Sequence, residues 1–315
     1  MKKKPNKYRI RNWSEYNAGL RQRGEITFWL DKAVVEGWLN KEKTGKRGAS
    51  RTYSDVAIEA VVIIKSIFGL AGRQAVGLLS SIFKLMEVEL AVPDPSTVSR
   101  RLANLAVELA VPAGKQARHV VIDATGIKVY GEGEWKTRQH GASKRRTWRK
   151  LHVAVDEHTG DILAAEVSGN DKKDSQLLEP LLTTVAHTSE ITQVSADGAY
   201  DTRKCYETIS KHHAKVAIAL RKDAKIWQHG NCQQPAHPRD QNLRLIRKHG
   251  RKKWQRLVNY HRRSLAETTM FRFKVTFSPK AFSRLFDNQV AELKVKCKCL
   301  NKMLQLAKPE SYLLT

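Results

Sequence analysis

A chain of 315 residues holds one large domain or two ordinary ones, and its 41% hydrophobic content supports a packed core and excludes wholesale disorder. Fifty-seven Lys and Arg against 31 Asp and Glu leave a net charge of +26, an excess that is usually neutralised by a polyanion. No stretch approaches the roughly 18 consecutive apolar residues of a membrane span, so nucleic acid rather than a bilayer is the expected partner.

Met1 to Pro5 is basic, but no apolar signal core follows it, which predicts a cytoplasmic protein, associated with the nucleoid if the partner is DNA. The four cysteines, Cys205, Cys232, Cys297 and Cys299, form neither a disulfide framework nor a CxxC pair. A zinc set of His229, Cys232 and His237 matches no common ligand spacing, so unpaired thiols are expected.

Residues 1–50 carry Trp13, Tyr16, Phe28, Trp29 and Trp38 in helix-like stretches, and the charged, glycine-rich run from Lys41 to Ser50 reads as a loop. Ser54 caps a predicted helix with apolar positions from Val56 to Leu70, and a second covers Gln74 to Met86. After Pro93-Asp-Pro95, the segment Ser96 to Leu102 reads as the capped start of a third helix. Three short helices, the last carrying Arg100 and Arg101, predict a helix-turn-helix-like DNA reader; a packing or dimerisation module with solvated arginines is the alternative.

From His119 the pattern changes. His119 to Thr125 is an apolar run ending in a carboxylate; Lys150 to Asp156 and Asp161 to Val167 are two more strands, joined by a Glu157-His-Thr-Gly160 turn. Asp174 to Ala186 has helical spacing, Ile191 to Ala196 is a strand, Asp201 caps a helix through Ser210, and Ala214 to Leu220 is a fifth strand. Three meandering strands followed by helix, strand, helix and strand predict an α/β fold with a mixed sheet and flanking helices, in the strand order of a ribonuclease-H-like domain. The expected domains are a helical N-terminal DNA-binding or dimerisation region, 1–112, and a catalytic domain, 113–310, interrupted by a basic insertion at about 221–259. Residues 279–305 predict a closing helix with an apolar face through Phe282, Leu285, Phe286, Val290 and Leu293.

Asp123 ends the first predicted strand and Asp197 follows the fourth, at a sheet rim of the kind where ligands gather. If the two strands are neighbours, both carboxylates emerge at one edge and repel each other unless a cation lies between. Mg²⁺ suits such a site, since it takes one or two carboxylates together with substrate phosphates. Gly198 leaves room beside Asp197 for close approach.

A third acid follows from helical geometry. At roughly 100° per residue, Tyr260, Arg263, Glu267 and Lys274 fall within an arc of about 60°. A core stripe would be apolar; a carboxylate between two cations and a phenol suits a metal ligand with neighbours that hold a phosphodiester. The basic run Lys136 to Lys150, including Lys144, Arg145 and Arg146 and interleaved with Trp135 and Trp148, is a further candidate for contact with a DNA backbone; a solvated hairpin loop is the alternative. Turn chemistry accounts for Asp156 and Asp161, and His152 reads as a hydrogen-bonded structural residue. No phosphate-cradling GxxxxGKS-type loop occurs, so no nucleotide cofactor is expected.

The spacing Y-(2)-R-(3)-E-(6)-K resembles the signature of bacterial insertion-sequence DDE transposases, and Tyr260, Arg263, Glu267 and Lys274 match all four positions. Asp123 in Val-Ile-Asp-Ala-Thr-Gly and Asp197 in Ala-Asp-Gly-Ala-Tyr-Asp resemble the first and second acids of that group. Lys144-Arg-Arg-Thr-Trp-Arg-Lys-Leu-His-Val-Ala-Val-Asp156 is similar to the corresponding segment of its "family 5" type. The resemblance covers about residues 119–305. It implies that Asp123, Asp197 and Glu267 hold two Mg²⁺ ions, with Mn²⁺ able to substitute, and that Tyr260, Arg263 and Lys274 contact transposon-end DNA. Two such metals stabilise the attacking and leaving oxygens of an in-line displacement. Water would cleave the terminal inverted repeats and the freed 3′-hydroxyl would join target DNA, with a homodimer pairing two double-stranded ends. A catalytically idle DNA-binding protein and a nuclease that cuts without joining are the rivals.

Overall fold

A computed structural model describes residues 8–41, 51–109, 111, 117–129, 148–228 and 235–314. The chain divides into two units, Met1–Val107 with Lys298–Thr315, and Glu108–Cys297. The final segment, which the sequence alone groups with the catalytic domain, therefore belongs with the N-terminal residues. Among the described residues no helix is long and apolar enough to cross a membrane.

The first unit is helical. After a short strand β1 (Tyr8–Ile10) come α1 (Trp13–Gln22), α2 (Ile26–Trp29), α3 (Lys32–Glu36), α4 (Asp55–Ile67), α5 (Gly72–Leu85) and α6 (Pro95–Leu102). Ser54 caps α4 as its sequence predicts, its side chain accepting from the Ala57 amide. The third helix departs from expectation: it starts at Pro95 rather than at Ser96, behind Asp94, whose side chain makes no capping bond. Proline supplies the first-turn geometry without an amide that would need a cap. The core gathers Trp29, Trp38, Ile58, Ile64, Leu79 and Phe83, and the Trp38 indole donates to the Ala91 carbonyl at 2.9 Å. Gly19 permits α1 to meet the C-terminal segment, because a Cβ there would lie 2.7 Å from the Ala307 Cβ.

The second unit is built on strands β2 (Ala117–Val129), β3 (Trp148–Asp156), β4 (Ile162–Ser168), β5 (Glu190–Ala196) and β6 (Lys215–Ile218), in the spatial order β4-β3-β2-β5-β6. β2, β3 and β4 are successively antiparallel, whereas β5 and β6 run parallel to β2. Helices α7 (Leu178–Ala186) and α8 (Arg203–Lys211) supply the crossovers. This is the ribonuclease-H-like mixed sheet that the strand order predicts. β3 and β4 are buried almost throughout, as strands covered on both faces must be. Leu181, Leu182 and Val185 of α7 bury completely, each contributing about 1.5–3 kcal/mol before entropy is subtracted.

β2 is longer than its apolar run suggests. Its parallel ladder with β5 stops at Val121–Ser195, yet it continues alongside β3 and ends against a short parallel strand, β7 (Lys280–Ala281). Asp123 therefore lies inside a strand rather than at its end. One further expectation changes. Asp201 does not cap α8; Thr202 does, accepting from the Cys205 amide.

The segment 221–259 is largely folded: α9 (Pro238–His249) packs on β6, and α10 (Arg251–Leu257) follows. Asn242 donates to the Val216 carbonyl at 2.9 Å, covering the edge of β6. A 3₁₀ turn Tyr260–Arg263 leads into α11 (Ser264–Phe277), which packs on β2 and β3 through Ala266, Met270, Phe273 and Phe277. The last helix, α12 (Phe286–Leu306), starts later than predicted, and Phe282, Leu285 and Phe286 are exposed. The approach to α12 is fixed by polar contacts instead. Buried Glu292 accepts from the Phe282 and Ser283 amides and pairs with buried Lys296 at 2.7 Å. The final strand, β8 (Ser311–Leu313), pairs with β1 in the first unit.

Candidate active site

Asp123 and Asp197 are placed by the fork between β2 and β5. Val121 and Ser195 are the last paired positions of that parallel ladder, and each acid stands two residues beyond its strand's last partner. The side-chain period of two sends Asp123 to the same face as Val121, opposite Val120 and Ile122, which pack with α7 and α8. The Asp197 carboxylate caps the 3₁₀ turn Gly198–Tyr200, accepting from the Ala199 amide at 2.8 Å. Gly198 sits close to the neighbouring backbone: a Cβ there would stand 3.2 Å from the Ala219 carbonyl oxygen, a tight contact.

The third element approaches across the face to which Asp123 points. In a 3₁₀ turn residues i and i+3 eclipse, so Tyr260 and Arg263 stack, the guanidinium 5.9 Å from the phenol ring centre. Trp254 supports Tyr260 from behind, at 5.2 Å between ring centres. One α-helical turn later Glu267 takes an ion pair from Arg263, whose other terminal nitrogen is 3.9 Å from Asp123. The four-residue pattern is thus a 3₁₀ turn followed by an α-helix rather than one uniform helix. Lys274 lies seven residues beyond Glu267, about 20° away around α11, and has no hydrogen-bond or ion-pair partner among the described residues.

The electrostatics follow this crowding. Burial pushes the Asp123 carboxyl above the ordinary range; the Ala124 amide and Arg263 pull it down, while Asp197 and Glu267 push it up. Burial raises the Tyr200 phenol as well, with Asp174, Asp197 and Asp123 adding to the shift, and its buried hydroxyl has no hydrogen-bond partner among the described residues. Asp123 thus feels both other carboxylates, and Arg263 is a cation in contact with Asp123 and Glu267. Among the described residues no set of three His, Cys, Asp or Glu side chains is already close enough to share a metal ion. The donor chemistry nonetheless fits one, since an all-carboxylate site suits a hard divalent cation.

Other sequence candidates separate clearly. Arg101 is mostly buried and binds the Tyr53 carbonyl and Asp55, while Arg100 is exposed and, among the described residues, bonds only within its own helix, to Ser96 and Thr97. Lys144, Arg145 and Arg146 lie outside the described residues, as do Trp135, His229 and Cys232. Trp148 rests against Gly126, its ring 3.3 Å from where a Cβ would be. His152 is buried and bonds Ser168 at 2.9 Å, a structural residue as its strand position suggests. Asp156 caps the turn amides of His158 and Thr159 and pairs with buried Arg118. Sequence reading did not find the pairing of Asp201 with Arg239, 38 residues away, whose Nε and Nη2 reach the two carboxylate oxygens at 2.7 and 3.2 Å.

A solved relative by shape is described as "Cryo-EM structure of piggyBac transposase synaptic complex with hairpin DNA"; it shares 9% identity, with a TM-score of 0.41 over 91% of this chain and 74% of that one. That likeness is too low to transfer chemistry. Two family models, both described as "Transposase DDE domain", match residues 21–132 and 114–302. The second covers more than half of the chain and includes Asp123, Asp197 and Glu267, and by that match the chain belongs to the transposase DDE domain family.

Proposed function

We propose that this protein is an insertion-sequence transposase of the "family 5" type, which binds terminal inverted repeats as a homodimer, cleaves the ends and joins their 3′-hydroxyls to target DNA in the bacterial nucleoid. The observation that carries the reading is that Asp123 and Asp197 each stand two residues past the last pair of the parallel β2–β5 ladder, with Glu267 tied to Asp123 through Arg263.

Asp123, Asp197 and Glu267 would hold two Mg²⁺ ions, or Mn²⁺ in their place. Bound there, the ions supply positive charge to the attacking and leaving oxygens of the phosphodiester. Arg263 would exchange its carboxylate partners for phosphate as the metals enter, and Lys274 and the Tyr260 hydroxyl would orient the strand beside it. With the reacting groups so placed, the protein acts by positioning and charge compensation. Arg100 and the 144–146 cations are assigned to the duplex outside the reacting phosphate, as is the helical N-terminal region. Arg101 has a structural duty in its pairing with Asp55, and any DNA contact it makes competes with that duty.

The test is purified protein on a plasmid carrying the inverted repeats, with Mg²⁺, Mn²⁺ or EDTA and with Glu267→Gln as control. Metal-dependent cuts at the repeats and a joined product, both lost in the variant, support the reading. Cuts without a joined product reduce it to a nuclease, and binding without cuts in either metal leaves a DNA-binding protein.

A further inference from the structure

The basic segment after β6 does more than extend the charged surface. Arg239, at the start of α9, is buried, and its guanidinium carbon lies over Trp227, 4.0 Å from the ring centre. Its Nε and Nη2 fork onto both oxygens of Asp201, and its Nη1 donates to the Lys225 carbonyl at 2.7 Å. The Tyr206 hydroxyl also donates to Asp201, at 3.2 Å. The neighbouring Asp240 is fully buried and accepts from the Trp227 and Gln228 amides at 3.0 and 2.8 Å. Each of the three guanidinium nitrogens thus has a partner.

A buried ion pair is weak evidence for stability, because desolvation offsets most of the attraction; the gain it offers is a fixed geometry. What this pair fixes is the turn on which the second acid is mounted. Asp201 closes the Gly198–Tyr200 turn, and Asp197 opens it. The turn is closely packed at Gly198, where a Cβ would stand 3.2 Å from the Ala219 carbonyl oxygen.

The geometry points to Arg239 as a positioning residue: through its two-point pair with Asp201 it holds the 197–201 turn so that the Asp197 carboxylate faces the metal site. This rests on the reading of Asp197 as a metal ligand. It makes α9 and its lead-in a brace for the active site, a role separate from any contact with DNA.

The experiment compares the full chain with Arg239→Lys, Asp201→Asn and the double variant. Lysine keeps the charge but loses the fork. Amide hydrogen exchange is followed by mass spectrometry, Mn²⁺ binding by electron paramagnetic resonance, and folding by thermal melting. Arg239→Lys is expected to speed exchange over residues 197–201 while leaving β5 unchanged, and to weaken Mn²⁺ binding about tenfold, the usual effect of losing a supporting partner. The double variant should be no worse than the weaker single one. Unchanged exchange in the turn, or faster exchange with unaltered Mn²⁺ affinity, overturns the proposal, as does a lowered melting temperature alone. If the parent chain itself binds no Mn²⁺, the metal-site reading fails, and the positioning role falls with it.

Discussion

The Arg263 guanidinium stands 3.9 Å from the Asp123 carboxylate while its other arm pairs with Glu267. A cation already occupies the ground between the first and third acids. Burial works against its charge, yet Tyr260, Glu267 and Asp123 outweigh that and hold Arg263 above its ordinary pKa. It stays charged at any working pH.

If those partners become phosphate oxygens when an end binds, Arg263→Ala removes one phosphate contact. End affinity should fall, and the slope of log affinity against log salt should flatten by about one. Fluorescence anisotropy over a salt series measures both. A loss of affinity with an unaltered slope would place the guanidinium away from the DNA.

The acids have the opposite profile. Asp123→Asn, Asp197→Asn and Glu267→Gln should each lower cleavage by a factor on the order of a hundred or more, the several kcal/mol that correctly held metals supply. End binding should change little, because each variant removes negative charge from a surface that meets phosphate. Gel-shift and cleavage assays on one labelled end separate the two effects, and near-parental cleavage by any variant removes that residue from the site.

Much of this site is legible in sequence because it rests on local patterns. The apolar runs before Asp123 and Asp197 mark buried strands, and the strand order makes those strands neighbours. What escapes is set by contacts distant in sequence. Asp123 looks like the end of a strand because its apolar run stops, whereas β2 is prolonged by pairing with β3 and β7. Tyr260 to Lys274 looks like one helix because spacing alone does not separate a 3₁₀ turn from an α-turn. The segment 221–259 looks like a polar insertion because Arg239, Asp240 and Asn242 resemble surface residues; their burial depends on Asp201, Trp227 and Val216.

His152 gives stability an acid limb. Burial lowers its imidazole to about 4 from 6.5, partly opposed by Asp174 and assisted by Lys150. Between those values the unfolded chain binds a proton that the folded one refuses, so stability falls as pH drops from about 6.5 toward 4 and is intact above that window. The full effect is about 3 kcal/mol. Urea unfolding of the parent and His152→Gln at several pH values should show a shallower acid limb in the variant; identical limbs would mean that the imidazole is hydrated.

Arg100 and Arg101 are adjacent but should behave oppositely. Arg101→Ala strips a donor from the Tyr53 carbonyl and Asp55, and should cost about 1–3 kcal/mol of stability. Arg100→Ala, at an exposed residue bonded to Ser96 and Thr97 of its own helix, should leave melting unchanged and weaken duplex binding. Melting curves and anisotropy on both variants decide this, and a stable Arg101→Ala with impaired binding would reverse the assignment.

Glu292 and Lys296 test how the chain returns to β2 after α11. Both are almost wholly buried. Burial pushes the Glu292 carboxyl up, but Lys296, the Phe282 amide and Ser283 outweigh it and leave it below the ordinary value. Its contribution is therefore present above the unfolded carboxyl's pKa and is lost as pH falls through the lower folded value. Lys296→Met strands the carboxylate and also removes the donor to the Lys280 carbonyl in β7. Breaking a buried pair from one side costs about 3–5 kcal/mol. Adding Glu292→Gln should recover part of that, since a neutral amide oxygen still accepts from Phe282 and Ser283 without a stranded charge. Urea unfolding at neutral pH gives the three values. If Lys296→Met costs no more than the ~1 kcal/mol of a surface pair, water reaches Glu292 and the anchoring of β7 does not depend on this pair.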